Sequence, residues 1–173
     1  MDNYSWINKI DSDNLYRYTL GFCAKSPLLC VGVNPSTATP EKLDPTINSV
    51  ARIAKCNGYD GWIMINLYPQ RSTNPNEMDL TPNNSVCQQN ISEIKDILNK
   101  YDISEIWAAW GTLITKRSFL RECLKDIYSI APSHTWITFG SRTKAGHPHH
   151  PLYLSSYAPK SSFDILDYIN NLT

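Results

Sequence analysis

Four short apolar runs, at residues 28–33, 62–66, 105–110 and 135–139, alternate with stretches of helical periodicity. This alternation constrains the fold more than anything else in the chain. Each run is apolar nearly throughout rather than at every second residue, as strands are when helices cover both faces of their sheet. Short strands joined through helices imply right-handed crossovers and a parallel sheet. Asp44-Pro45-Thr46, followed by Ile47, Val50, Ala51, Ile53 and Ala54, supplies an N-cap, a proline in the first turn and an apolar stripe, and Gly58 closes it. Apolar stripes over 85–101 and 112–130 predict two more helices, and Ser161-Ser162 reads as the start of a last one. Residues 16–20 alternate and read as an edge strand. The expectation is one domain over residues 1–173: a three-layer α/β/α sandwich around a central, mainly parallel sheet of about four strands.

The composition fits a single soluble domain. The apolar fraction is 42%, enough for a sizeable core, and acidic and basic residues balance at 16 each. A neutral chain is poorly suited to wrapping a long nucleic acid, which rests on many phosphate contacts. Five cysteines at 23, 30, 56, 87 and 123 include no C-x-x-C pair, so neither a disulfide framework nor a thiolate metal set is expected. Cys30 and Cys56 fall in apolar or helical patterns and read as core. The opening residues lack the features of a signal peptide, and no apolar run approaches the roughly 18 residues of a membrane span. A cytoplasmic protein with no membrane partner is expected, and nothing in the chain specifies its oligomeric state.

In a parallel sheet, ligands bind beyond the carboxyl ends of the strands. Two long loops, at 34–44 and 66–83, and a histidine loop at 146–153 all emerge on that edge. Gly32 allows close backbone approach. Asn34, Pro35, Ser36 and Thr37 follow it, and Pro35 restricts Asn34 to extended conformations. Asn66 ends a buried strand, where an unsatisfied amide is costly. Asp44 reads first as a helix cap, with a second role as a base facing a ligand. His147, His149 and His150 lie within four residues, but prolines keep them extended and their spacing matches no metal signature. A hydrogen-bond donor or proton-transfer histidine fits better than a metal ligand, so no metal or other cofactor is expected. The chain has no G-x-x-x-x-G-K-[ST], G-x-G-x-x-G or G-x-S-x-G motif, which removes the main support for nucleotide triphosphatase, dinucleotide and serine-hydrolase readings.

Taken together, Gly-Val-Asn-Pro-Ser-Thr-Ala, Asp-Pro-Thr, Asn-Leu-Tyr-Pro-Gln-Arg-Ser-Thr-Asn-Pro, Ala-Trp-Gly and His-Pro-Leu-Tyr resemble an uncharacterised bacterial and phage family, a domain of unknown function, over about residues 16–153. A more distant likeness is to the uracil-DNA glycosylase superfamily. It rests on Gly32 to Pro35 after the first strand, Asn66 at the end of a later one, Ala109-Trp110-Gly111, and the His-Pro loop ending in Pro151-Leu152. That likeness implies a uracil-DNA glycosylase-like fold and a hydrolase of N-glycosidic bonds, in DNA repair or on a nucleoside. Asn34 would orient water, and Asn66 would read a flipped pyrimidine. His147 or His150 would stabilise the departing base, and Leu152 or Tyr153 would lie near the DNA. Tyr68 and Arg71, within the Asn-Leu-Tyr motif, join Gly32, Pro35, Ser36 and Thr37 as candidate substrate-binding residues. Asn34 stands where some members carry a water-activating carboxylate, and Ser36-Thr37 replace an aromatic residue. The partner would be DNA or a nucleobase-containing small molecule. Two other readings stay open: a binding module without catalysis, and a small-substrate hydrolase using His150 with Asp44.

Overall fold

A computed structural model describes residues 3–172. Seven strands form one sheet: β1 (Ser5–Ile10), β2 (Arg17–Cys23), β3 (Leu28–Gly32), β4 (Gly61–Asn66), β5 (Glu105–Ala108), β6 (Thr135–Phe139) and β7 (Lys160–Ser162). Four helices accompany them: α1 (Pro45–Cys56), α2 (Asn84–Lys100), α3 (Phe119–Ile130) and α4 (Ile165–Asn171). The sheet order is β1-β2-β4-β3-β5-β6-β7. Its centre, β4-β3-β5-β6, is parallel and is built from the four apolar runs. The other three strands are antiparallel additions.

The sheet is therefore mixed and seven-stranded, not a four-stranded parallel one. The missed strands carry no buried-strand signal. β1 is largely exposed, and β7 is Lys-Ser-Ser, exposed throughout. Both are held by backbone pairing rather than by apolar side chains. Ser161 and Ser162 thus belong to a strand, and the cap of α4 is Asp164, whose carboxylate accepts from the Asp167 N–H. β2 is longer than expected and interior, since β1 covers its outer side. The helix expected over 112–130 breaks at Arg117, which is extended: a 3₁₀ segment, Gly111–Lys116, precedes α3.

Side-chain alternation on the strands divides the core. Leu28 and Cys30 of β3 and Trp62 and Met64 of β4 pack with Ile47, Val50, Ile53 and Ala54 of α1. Leu29, Val31, Ile63 and Ile65 face the opposite way, toward α2, α3 and α4. One helix covers one face and three cover the other. Asp44 caps α1 as the sequence suggests, its Oδ1 accepting from the Ile47 N–H at 2.9 Å, an arrangement worth about 1 kcal/mol. Cys30 is buried, but Cys56, at the last turn of α1, is exposed and not part of the core. Among the described residues no helix is long and apolar enough to cross a membrane.

The chain leaves β3 for β4 on one side and returns through α2 to β5 on the other. Sheets open a crevice at such a reversal, outside the carboxyl ends of the strands. The loops after all four parallel strands emerge there.

Candidate functional site

A cleft of about 190 Å³ lies at the carboxyl ends of β3 and β4. Pockets for drug-sized ligands run to roughly 300–1,000 Å³, so this volume suits a small ligand. Gly32, Asn34, Pro35 and Ser36 from the first loop line it, with Asp44 at the start of α1, Asn66 at the tip of β4 and His150 from the loop after β6. Arg17, from the start of β2, and Met64 complete its inner wall.

Asn66 is the most exacting of these residues. It is 1% exposed, and its Oδ1 has no hydrogen-bond partner among the described residues. Its backbone carbonyl is satisfied, accepting from Asn90 Nδ2 at 2.9 Å. The amide fits because residue 32 is glycine: a Cβ there would lie 2.5 Å from Met64 Cε and 2.8 Å from Asn66 Oδ1. A buried amide without partners costs about 1–3 kcal/mol. It presents a donor and an acceptor side by side.

Asn34 does something different. Its Nδ2 donates to the carbonyls of Ser72 at 2.9 Å, Pro35 at 3.1 Å and Gln70 at 3.4 Å. The Ser72 N–H donates to the Pro35 carbonyl at 2.9 Å, and Arg71 Nη1 to the Ser36 carbonyl at 2.8 Å. These bonds lace the two long loops into one rigid wall. Asn34 Oδ1 has no partner among the described residues.

His150 opens a short 3₁₀ turn, Pro151–Tyr153, and its Nδ1 accepts from the Leu152 N–H at 3.3 Å. The proton of the neutral ring is therefore on Nε2, which remains as its free donor. Burial lowers the His150 pKa, and the nearby Asp44 carboxylate opposes that shift. The neutral donor form is thereby favoured near pH 7. Gly111, at φ 59°, closes against this residue: a Cβ there would lie 3.2 Å from His150 Cβ. His150 and Asp44 share the cleft but form no ion pair, so they do not act as a hydrogen-bonded dyad.

A family model described as protein of unknown function (DUF1643) matches residues 17–152. The chain belongs to this family. The matched span includes every cleft residue named above. No curated protein and no solved structure matches the chain.

Several expected site residues lie elsewhere. His147 is buried on the far side of its loop, its Nδ1 2.7 Å from the Tyr168 hydroxyl. That hydroxyl accepts from Trp110 Nε1 at 3.0 Å, which leaves its proton for His147. The chain Trp110–Tyr168–His147 is a packing device, so His150 is the histidine of the cleft. Tyr68 is fully buried, donates to Asp79 Oδ2 at 2.7 Å and accepts from the Asn83 N–H. It holds the second loop and meets no ligand space. Arg71 and Thr37 line an adjoining groove that shares Ser36 with the cleft. Leu152 and Tyr153 are exposed, with the Tyr153 ring 6.2 Å from that of His150; they form a rim rather than a wall. Arg17 went unnoticed because the start of an alternating edge strand reads as solvated. Its burial follows from β1, which turns β2 into an interior strand.

Proposed function

We propose that this protein binds a nucleobase by its polar edge in the cleft and hydrolyses the N-glycosidic bond that carries the base. The observation that carries this reading is Asn66: a buried amide whose acceptor has no partner among the described residues, lining a small cleft. A ligand offering a complementary donor and acceptor pair, as the imide or amide edge of a base does, relieves that cost.

The remaining residues supply a consistent sequence. Asn34 Oδ1 and the free oxygen of Asp44 hold a water, and Asp44 takes its proton as oxygen attacks the anomeric carbon. The carbon–nitrogen bond breaks with its electron pair passing to the base. His150 Nε2–H, preorganised by the Leu152 amide, donates to the ring carbonyl where that charge gathers. The base leaves as an anion and takes a proton from solvent, while Asp44 gives the water's proton back to solvent. Asp44 is the proton acceptor beside Asn34, since an amide is no base and the Asn34 nitrogen is already committed to three carbonyls.

The test is incubation with uracil-, hypoxanthine- and mismatch-containing DNA and with the matching nucleosides and nucleoside monophosphates, scored for free base. Release of base by wild type, abolished in Asn66→Ala and Asp44→Asn, is expected. Binding of a base without release would leave the cleft as a recognition module. Neither binding nor release by a folded protein would end the proposal.

A further inference from the structure

The inner wall of the cleft holds a feature that base recognition does not use. Arg17 is 2% exposed, yet it forms no ion pair among the described residues. Among the described residues its guanidinium makes one hydrogen bond, from Nη1 to the Ala38 carbonyl at 2.6 Å. A guanidinium carries five donors, and a buried charge without a counter-charge is strongly unfavourable. Burial and the neighbouring Arg71 lower the Arg17 pKa to about 10, with Asp44 acting the other way, so the residue stays charged at pH 7. Arg71 is itself without an ion pair, and its buried Nε has no partner. This second cation stands in the adjoining groove that shares Ser36 with the cleft. The first turn of the twelve-residue helix α1 faces the cleft itself through Thr46 and Ile47, adding the positive end of a helix. The opposing charge is Asp44, one of whose oxygens is held by the cap.

We infer that the cleft takes a ligand ending in a phosphate monoester, seated on Arg17 beside the first turn of α1. The inference deepens the reading of the cleft as a nucleobase site and rests on it for the rest of the ligand. A phosphate monoester is nearly dianionic at pH 7 and has three terminal oxygens to fill donors, which matches the uncommitted donors of the Arg17 guanidinium better than a carboxylate does. The ligand class is a nucleoside monophosphate.

The experiment titrates the full chain with inorganic phosphate at low ionic strength, by calorimetry and by NMR of the arginine Nε–H signals. Saturable binding that moves the Arg17 signal is expected, weakened about tenfold or more in Arg17→Gln and largely kept in Arg17→Lys. No saturable binding to wild type, or equal binding by wild type and Arg17→Gln, overturns the inference. Should Arg17→Gln not fold, the wild-type spectrum decides: phosphate moving other arginines but not Arg17 overturns it. Uridine and uridine 5′-monophosphate separate this inference from the base reading. A preference for the monophosphate that vanishes in Arg17→Gln supports it. Equal affinity for both overturns it while leaving base recognition standing. Phosphate binding through Arg17 with no affinity for uridine, cytidine or inosine supports it while ending the base reading.

Discussion

Replacing Asn66 with leucine should stabilise this protein while destroying its site. The two side chains branch alike, so the swap keeps shape and removes polarity. The buried Oδ1 has no partner among the described residues, a penalty of about 1–3 kcal/mol. Leucine abolishes it and adds apolar contact with Met64 at the closed wall. Slight crowding against Gly32, where the oxygen already sits close, offsets part of the gain. The net expectation is about 1 kcal/mol of added stability, a rise of roughly 2–4 °C in Tm for a domain of this size. Urea unfolding followed by tryptophan fluorescence measures it directly, with an unchanged m-value as the check that the folded state is the same. Destabilisation by more than about 1 kcal/mol would refute the reasoning. The amide would then be satisfied in the free protein and not held open for a ligand.

Other perturbations probe separate parts of the account. Gly32→Ala should push the Asn66 amide out of place, costing about 1–3 kcal/mol in stability and weakening any base ligand, by calorimetry, more than Gly32 itself contacts it. Tyr168→Phe should leave Trp110 Nε1 and His147 Nδ1 without partners and cost about 1–3 kcal/mol, with cleft binding unchanged; a selective loss of binding at full stability would return His147 to the site. Both His147 and His150 have folded pKa values lowered by burial. The unfolded chain therefore takes up protons first, so stability present above about pH 6.5 should fall as pH drops through the folded values. Urea midpoints at about pH 8 and about pH 5 should converge when His150 and His147 are each replaced by glutamine, and an unaltered slope would show that other groups titrate.

What the sequence discloses follows from which forces act locally. The four central strands are legible because burial on both faces demands continuous apolar runs, and α1 because a cap, a proline and a stripe agree. Placing Asn34, Asn66 and His150 on one edge required only that the strands be parallel. β1 and β7 are invisible because backbone pairing, not side-chain chemistry, holds them. Arg17 was hidden for the same reason: without β1, nothing marks the start of β2 as interior. His147 and His150, three positions apart in an extended proline-rich loop, differ only in what lies on either side of it. Tyr168 and Leu152 settle that difference, and no local pattern encodes it. The distinction between Asn34 as wall and Asn66 as receptor likewise depends on carbonyls supplied by the second loop.

The central claim is that the Asn66 amide and the His150 imidazole face one ligand together. Titrating isotopically labelled protein with uracil, cytosine and hypoxanthine, while following the Asn66 side-chain amide and the His150 ring, tests it most directly. The account predicts that at least one base shifts both sets of signals along a single saturation curve, with His147 unmoved. Shifts confined to the exposed rim at Tyr153, or an Asn66 signal that stays fixed while binding saturates, would contradict it.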